Sequence, residues 1–338
     1  MKKFLLSAGI LCGGLLLAAC GGNGGTAESS TGKEAAKDGK IKVVATFYPM
    51  YDFAKEVVGD EGEVSLLIPA GTEPHDYEPS AKDMAAISDA DVLVYNVDEF
   101  ETWIDNVKDN LNEDKTLVIE AADDIELLEA SGSSHDHSHE GEDDHDHESE
   151  EAHDHDEAAD DHDHGGKDPH VWTDPVMAVK EVQEIADELG ERYPEKKAAF
   201  DKNAAAYIAK LQQLDQEYQA AFKDAKNKTF LVQHAAFGYL AHQYGLTQES
   251  IAGISPDQEP TPARLAELKH FVEDHGVSVI YFEENANSKV AETLSNETGV
   301  KLSVLNPLES LTNEQMKAGE NYISVMEDNL EALKESIN

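Results

Sequence analysis

The sequence predicts an α/β protein made of two lobes joined by one long helix. Short apolar segments alternate with helical segments from Ile41 to Glu120 and again from Thr229 to Leu305. Such alternation is typical of parallel strands connected by crossover helices. Residues 195–225, between the two regions, contain no proline or glycine, and their apolar residues recur at helical spacing. The connection is therefore predicted to be a single helix that can cross the whole molecule, at about 1.5 Å per residue.

The N-terminal lobe is expected to span residues 40–192. Its strands are predicted at residues 41–47, 63–68, 91–96 and 116–120, and its helices at residues 48–58, 81–90, 101–111 and 175–192. Ser80 precedes the second helix, with Asp83 at the capping-box position, a pattern that satisfies free N–H groups at a helix start. Pro175 opens the fourth helix, where proline is tolerated, and Pro194 ends it.

The linking helix is expected over residues 193–225 and the C-terminal lobe over residues 226–338. The strands of this second lobe are predicted at residues 229–232, 247–251, 277–282 and 301–305, and its helices at residues 238–244, 263–275, 288–298 and 321–336. Each lobe is long enough to enclose a core of its own. The expected architecture is two Rossmann-like α/β lobes on one long helix.

Residues 134–166 form a strongly acidic segment that is rich in histidine. Nine of the fifteen histidines lie there: His135, His137, His139, His145, His147, His153, His155, His162 and His164. The segment has no apolar residue larger than alanine, so it cannot build a core. Neutral imidazoles bind zinc, copper and nickel, and the carboxylates around them raise the local concentration of cations. We interpret the segment as a flexible collector of metal ions; a merely solvated acidic loop is the alternative.

The N-terminal residues carry the features of an export signal. Lys2 and Lys3 precede an apolar stretch at residues 4–17 that is too short for a comfortable membrane span. Small residues then lead to Cys20, as in a bacterial lipobox. The pattern predicts a signal peptide at residues 1–19, lipid on Cys20 and a flexible spacer over residues 20–39, which would anchor the protein to the outer face of the cell membrane. An ordinary signal peptide with an incidental cysteine is the alternative.

Acidic residues strongly outnumber basic ones. The chain has 70 Asp and Glu against 26 Lys and Arg, for a net charge of −44. This charge repels nucleic-acid phosphates, so nucleic acid is excluded as a partner, and it suits a cationic ligand. The two cysteines are Cys12, within the predicted signal, and Cys20. A metal site in the folded domain must therefore use His, Asp, Glu or water.

Four polar residues lie just beyond predicted strands or at a helix start, two in each lobe: His75, His170, His234 and Glu309. Ligands of open parallel sheets bind at the carboxyl ends of strands. A single histidine on a loop is usually solvated, but three imidazoles and one carboxylate so placed suit tetrahedral zinc. Glu283 and Glu284 also follow a strand and compete with Glu309 for the fourth position. Three further histidines fall within predicted helices or at their ends and are expected to be structural or exposed: His242, His270 and His275.

The segments around these four residues together resemble a known family. They read Glu-Pro-His-Asp-Tyr-Glu-Pro-Ser, Asp-Pro-His-Val-Trp-Thr-Asp-Pro, Gln-His-Ala-Ala-Phe-Gly-Tyr-Leu and Asn-Pro-Leu-Glu. The chain from about residue 40 onward is similar to the zinc-binding branch of the metal-specific (cluster A-I) substrate-binding lipoproteins of ABC transporters, whose lobes are joined by a rigid helix. The resemblance implies one divalent metal between the lobes, bound by His75, His170, His234 and Glu309. The manganese branch typically has Glu at the position of His234 and Asp at that of Glu309, so the resemblance favours zinc over manganese.

The leading hypothesis is an extracytoplasmic zinc receptor that binds zinc with high affinity and delivers it to an ABC permease. We expect it to act as a monomer and not as an enzyme. One alternative is a surface lipoprotein that buffers metal or mediates adhesion. Another is a zinc hydrolase, which would need an open coordination position and a general base. The His-Glu-x-x-His motif is absent, and Glu283, Glu284 or Asp257 would have to supply the base.

The leading hypothesis includes a mechanism for the capture and release of zinc. The histidines of the acidic segment would capture zinc weakly, and the site between the lobes would then take it. Its ligands must be deprotonated, so acid should release the metal at about pH 6.5 or below. The linking helix should limit lobe closure, so that small shifts of lobes or loops release the ion. Deletion of residues 134–166 should leave the affinity of the interlobe site intact and weaken uptake when zinc is scarce.

Overall fold

The computed structural model describes residues 39–112, 114–130, 166–258, 260–284 and 286–338. The predicted signal peptide, Cys20, the spacer up to residue 38 and the nine histidines of the acidic segment lie outside the described residues. The described chain contains two parallel β-sheets flanked by helices, which confirms the predicted fold class. Within this part of the chain, no helix combines the length and apolar character needed to cross a membrane.

The N-terminal lobe has the strands β1 (Ile41–Ala45), β2 (Gly62–Leu66), β3 (Val92–Tyr95) and β4 (Leu117–Glu120). They form a parallel sheet in the order β2-β1-β3-β4. The helices of this lobe are α1 (Tyr48–Val58), α2 (Ala81–Asp89), α3 (Ile104–Lys108) and α4 (Pro175–Arg192). Because strand side chains alternate between faces, Val43 packs with α1 and α4 whereas Val44 packs with α2 and α3.

Local side chains explain where two of these helices begin. At α2 the predicted capping box is present, since Ser80 and Asp83 each accept the other's backbone N–H. Helix α3 is shorter than the predicted 101–111, because Glu101 turns inward instead of starting a helix. Its buried carboxylate accepts the N–H groups of Asn96 and Val97, at 3.1 and 3.2 Å. The chain becomes helical only after this turn.

The C-terminal lobe has the strands β5 (Thr229–Val232), β6 (Thr247–Ser250), β7 (Val279–Phe282) and β8 (Lys301–Val304), in the order β6-β5-β7-β8. Its helices, which follow the linking helix in sequence and are numbered after it, are α6 (Gly238–Tyr244), α7 (Pro262–His275), α8 (Lys289–Thr298), α9 (Asn313–Ala318) and α10 (Tyr322–Leu333). The sequence analysis missed α9. A capping box between Thr312 and Gln315 starts this short helix, and Gly319, with a φ of 88°, ends it.

The linking helix α5 (Lys197–Phe222) is one continuous helix of 26 residues. It is shorter at both ends than the predicted 193–225. Two tyrosine hydroxyls on its buried face hold one lobe each. Tyr207 donates to the Asp52 carboxylate on α1 at 2.8 Å, and Tyr218 donates to the carbonyl of Met326 on α10 at 2.7 Å.

The two lobes also contact each other directly, through a buried cluster that includes residues of both. The indole N–H of Trp172 donates to the carbonyl of Pro307 at 2.8 Å, and the hydroxyl of Tyr322 donates to the carbonyl of Trp172 at 2.6 Å. Nearer the strand ends, the N–H of Gly71 donates to the hydroxyl of Ser310 at 2.7 Å. A buried interface with satisfied polar groups resists opening, because separating it would expose apolar surface and break these bonds.

Glu181 on α4 is a buried carboxyl group without a hydrogen-bond partner among the described residues. It is fully buried, and neither side-chain oxygen is bonded. Burial, with repulsion from Glu101 and Asp174, raises the pKa of Glu181 well above its ordinary value. Below its unfolded pKa such a carboxyl group is protonated in both the folded and the unfolded state and leaves the stability of the fold undiminished. Stability is lost as the pH rises toward the folded pKa, at about 1.4 kcal/mol for each pH unit.

We expect Glu181→Gln to stabilise the protein in a pH-dependent manner. The free energy of unfolding should rise by at least about 1.4 kcal/mol at pH 8 and change little at pH 5, since the wild-type carboxyl group is protonated at the lower pH. Thermal and denaturant unfolding at both pH values would measure this. Glu191→Gln, an exposed change on the same helix, is the control and should have no such effect. An equal shift at both pH values would contradict the assignment.

Candidate metal site

Loops from both lobes meet at the carboxyl ends of the two sheets. His75 lies in the loop after β2, and His170 precedes a 3-10 turn, Val171–Thr173, that leads into α4. His234 closely follows β5, and Glu309 lies in the loop between β8 and α9. The structure brings these four predicted residues into one buried group. Because all strands in each sheet are parallel, loops that are distant in sequence open onto the same edge.

The four side chains converge on a single point. The Nε2 atoms of His75, His170 and His234 lie 3.2, 3.3 and 3.0 Å from Oε1 of Glu309. The three imidazole rings are 5.3 to 5.7 Å apart between centroids. A tetrahedral zinc site with bonds of about 2.0–2.1 Å has neighbouring ligand atoms about 3.3–3.4 Å apart. The spacing of these nitrogen and oxygen atoms is therefore close to that of one tetrahedral coordination sphere.

The loop that carries Glu309 is held in a constrained conformation. Leu308, directly before it, has a φ of 64°, the one positive value at a non-glycine residue among the described parts of the chain. The N–H of Leu308 donates to Oδ1 of Asn306 at 2.8 Å. Asn306 is in turn bonded by its N–H and carbonyl to the side-chain amide of Asn329, at 2.8 and 2.7 Å. Left-handed conformations of such residues are costly and are found at functional sites where the surroundings enforce them, and here the loop aims Glu309 at the histidines.

Two carboxylates behind the histidines orient the imidazole rings. Oδ1 of Asp168 lies 2.7 Å from Nδ1 of His170, and it also accepts the backbone N–H of His170 at 3.0 Å. Oε1 of Glu283 lies 2.5 Å from Nδ1 of His234. A carboxylate on Nδ1 keeps the proton on that atom and leaves Nε2 free to bind a metal. Both rings are thereby prepared as Nε2 ligands.

Within the described residues, no carboxylate bonds to Nδ1 of His75, whose ring meets carboxylates through Nε2. Its ring packs edge-on against Phe100, with centroids 4.9 Å apart, and its backbone N–H donates to the carboxylate of Glu73 at 3.1 and 3.2 Å. Burial lowers the pKa of His75, and the neighbouring Glu309 only partly opposes this. Burial and repulsion from Glu309 raise the pKa of Glu73 to about 8. His75 is therefore the histidine of the group that most readily stays neutral.

The other side chains of the group are strongly coupled by charge. Burial opposes protonation of His234, but Glu283 and Glu309 outweigh burial and raise the pKa of His234 well above its ordinary value. Burial likewise opposes protonation of His170, while Asp168 and Glu309 raise its pKa. Burial alone would raise the pKa of Glu309, but the imidazoles lower it well below its ordinary value. Without a cation, the carboxylate thus attracts protons to the imidazoles, and a bound metal ion must displace them.

The structure separates the candidates for the fourth position. Glu283 follows β7 as expected but faces Nδ1 of His234, on the side away from the convergence point. Glu284 is exposed and accepts a bond from Gln315 at 3.3 Å. The carboxylate that meets all three Nε2 atoms is that of Glu309. As expected, the three remaining histidines of the described chain lie exposed on helices: His242, His270 and His275.

The sequence analysis did not single out Asp168 or identify the role of Glu283. The sequence did contain a signal for Asp168. An Asp side chain commonly accepts the backbone N–H of the residue two positions later, and here that residue is His170. For Glu283 no local signal exists, since the residue is remote in sequence from His234. A second cluster of carboxylates, formed by the half-buried Glu73 and the exposed Asp76 and Asp257, lies near His75.

Two α/β lobes with three imidazoles and one carboxylate buried between them place this chain in the class of two-lobed metal-binding proteins. Residues 43–336 match the family model described as ZnuA, zinc-uptake complex component A periplasmic. The chain belongs to this family, and the resemblance inferred from the four motifs is confirmed.

Similar proteins cover most of the chain. It is 46% identical over 323 residues to the high-affinity zinc uptake system protein ZnuA of Bacillus subtilis (strain 168), covering 96% of this chain and 94% of that protein. It is 52% identical over 339 residues to the zinc-binding lipoprotein AdcA of Streptococcus pneumoniae (strain ATCC BAA-255 / R6), covering 99% of this chain but 61% of that longer protein. The crystal structure of the Zn(II)-bound ZnuA-like domain of S. pneumoniae AdcA superposes with a TM-score of 0.72 at 51% identity, covering 88% of this chain and 99% of that domain.

Proposed function

We propose that this chain is the substrate-binding component of a zinc importer, which captures one zinc ion between its lobes and delivers it to an ABC permease. The observation that carries the proposal is the convergence of three Nε2 atoms on Oε1 of Glu309, at 3.0 to 3.3 Å, in a buried site. His75, His170, His234 and Glu309 are the proposed ligands. Three nitrogen donors and one oxygen donor suit zinc better than manganese, which prefers oxygen ligands.

A transport role agrees better with the site than hydrolysis does. Four protein ligands fill a tetrahedron and leave no position for the activated water that a hydrolytic zinc needs. Glu283, the nearest candidate for a general base, is bonded to Nδ1 of His234 at 2.5 Å. A carboxylate engaged in this way orients a ligand and does not face a substrate. We therefore propose binding and delivery without catalysis.

Delivery would proceed through small movements of loops. The lobes are connected by α5 and by the buried contacts of Trp172 with Pro307 and Tyr322. A wide hinge opening would break this interface, whereas the loops that carry Glu309 and His75 meet at the site itself, through the bond from Gly71 to Ser310 and the contact of Nε2 of His75 with Oε1 of Glu309. We propose that the permease displaces these loops and thereby removes ligands from the ion.

The proposed receptor acts at the outer face of the cell membrane. Small residues before Cys20 predict lipid attachment at that position, and the pneumococcal relative is a lipoprotein by name. A lipid anchor keeps the receptor close to its permease, which raises the effective concentration of loaded receptor there.

The proposal is tested by competitive metal titration of residues 21–338 with chelators of known affinity. We expect one zinc ion to bind tightly, together with weaker ions, and manganese to bind far less tightly than zinc. Preference for manganese, or the absence of any tight site, would contradict the proposed function. Zinc uptake by cells that lack the chain should be restored by the wild-type chain when zinc is scarce.

We predict that the acidic segment supplies zinc to the interlobe site without forming part of it. The described residues on either side of it come together close to His170 in sequence, because Glu129 pairs with Lys167 and the N–H of Ala130 donates to the carbonyl of Gly166 at 2.8 Å. Removal of residues 134–164 should therefore preserve the fold and leave the tight zinc affinity within about threefold. Uptake at scarce zinc should decline, because the weak local sites are lost.

A matched variant isolates the role of the imidazoles in this segment. Replacing its nine histidines with asparagine retains length and acidic charge, so uptake should decline as in the deletion if imidazoles collect the metal. Chelator titration and uptake at limiting zinc measure the two effects separately. Loss of the tight site in either variant would show that the segment contributes ligands to it.

A further inference from the structure

Asp168 connects the metal site to the C-terminal lobe. Its side chain is buried, and its Oδ1 accepts from both the ring Nδ1 and the backbone N–H of His170, at 2.7 and 3.0 Å. Its backbone N–H donates to the carbonyl of Leu128 at 2.8 Å, within the pairing of residues 128–130 with residues 166–168, here called the stem, which flanks the acidic segment. The orientation of His170 therefore depends on where this residue is held.

Tyr239 on α6 holds Asp168 from the opposite lobe. Its hydroxyl donates to the backbone carbonyl of Asp168 at 2.8 Å and accepts the N–H of Leu128 at 2.8 Å. The hydroxyl of this buried tyrosine thus bonds to both sides of the stem. Because the carbonyl of Asp168 is buried and the N–H of Leu128 is partly buried, losing the hydroxyl would deprive two backbone groups of this partner.

Gly238 provides the space for this contact. A Cβ atom added to Gly238 would overlap Oδ2 of Asp168, so a larger residue there must displace the carboxylate. Gly238 and Tyr239 open α6, immediately after the loop that carries His234. One continuous segment of the C-terminal lobe therefore supplies one proposed ligand and fixes the support of a second.

We propose that Gly238 and Tyr239 are positioning residues that set the rate of zinc release by holding Asp168, and through it His170, against the C-terminal lobe. This inference rests on the proposed function. Movement of the segment 234–239 relative to the N-terminal lobe loosens His170 at the same time as it moves His234. Two of the four ligands are thereby released by one displacement.

The test compares zinc dissociation from full-length variants mixed with excess chelator. Tyr239→Phe should accelerate dissociation by about threefold to tenfold, as expected for the loss of a buried hydroxyl with two partners. Gly238→Ala should accelerate it by about 10- to 100-fold, the usual effect of disturbing the carboxylate behind a histidine ligand. In the cobalt-substituted protein, Gly238→Ala should also alter the visible ligand-field spectrum, because His170 is rotated.

Tyr244→Phe is the matched control. Tyr244 lies on the same helix, is buried, and donates its hydroxyl to Asp215 at 3.1 Å, away from Asp168. Its variant should lose stability without changing zinc dissociation or the cobalt spectrum. The inference is overturned if Tyr239→Phe releases zinc no faster than Tyr244→Phe, or if Gly238→Ala, once shown to be folded, retains the wild-type spectrum. A wild-type chain without tight zinc would overturn the proposed function and this inference with it.

Discussion

His234→Ala is expected to weaken zinc binding by about 100- to 1000-fold. Four-ligand structural zinc sites bind with about 10–16 kcal/mol, or roughly 2.5–4 kcal/mol for each ligand, and every 1.4 kcal/mol is about tenfold in affinity. His234 is the imidazole nearest to Glu309, at 3.0 Å, and it also separates Glu309 from Glu283. Its removal leaves two buried carboxylates without the imidazole between them. The apo protein should therefore also be destabilised at neutral pH.

Competitive titration with chelators would measure this loss, and thermal unfolding of the metal-free protein would measure the second effect. His242→Ala is the control, because His242 is an exposed histidine of the same lobe; its variant should bind zinc like the wild type. Tight binding that survives the loss of His75, His170 and His234 together would place the metal in the acidic segment and favour a surface metal buffer.

Zinc affinity is expected to keep rising with pH above pH 7. In the metal-free site the pKa values of His234 and His170 are raised, chiefly by Glu283, Asp168 and Glu309 against the effect of burial. A group with a raised pKa still holds its proton at pH values where an ordinary histidine, with a pKa of about 6.5, has lost it. Zinc must displace these protons, so affinity should change by about tenfold per pH unit for each one. Glu309, with a lowered pKa, stays ionised and adds no competing proton.

Between pH 8 and pH 6 we therefore expect a loss of about 100-fold to 10,000-fold in affinity, depending on whether one or two protons are displaced. An unperturbed histidine pKa, by contrast, predicts acid release at about pH 6.5 or below. Chelator competition at several pH values gives the slope, and calorimetry in buffers of different ionisation enthalpy counts the protons released. Glu283→Gln should flatten the dependence, because it removes a charge that raises the pKa of His234. A plateau in affinity above about pH 7 would contradict the prediction.

Patterns of neighbouring residues in the sequence were sufficient to predict most of the fold. Parallel β-strands were recognisable as short apolar segments bounded by turns, and Ser80 with Asp83 marked a helix start that the structure confirms. The predicted helix boundaries were wrong where tertiary contacts compete with local conformational preference. Glu101 was predicted to begin a helix, but it lies outside α3 because its carboxylate accepts the buried N–H groups of Asn96 and Val97. Helix α9 was missed because six residues are too few to show an apolar period.

The residue pattern was sufficient to predict two α/β lobes on one helix, with His75, His234 and Glu309 just beyond strands and His170 at the start of a helix. These properties depend on spacing along the chain, which sets secondary structure and loop position. Only the packing of the two lobes places Glu309, and not Glu283, against the Nε2 atoms of the imidazoles, since both residues follow strands and differ in where their side chains point. It also decided that Tyr239 of one lobe supports Asp168 of the other. Such contacts join residues far apart in sequence, and their energies depend on distances and burial that exist only once both lobes have packed together.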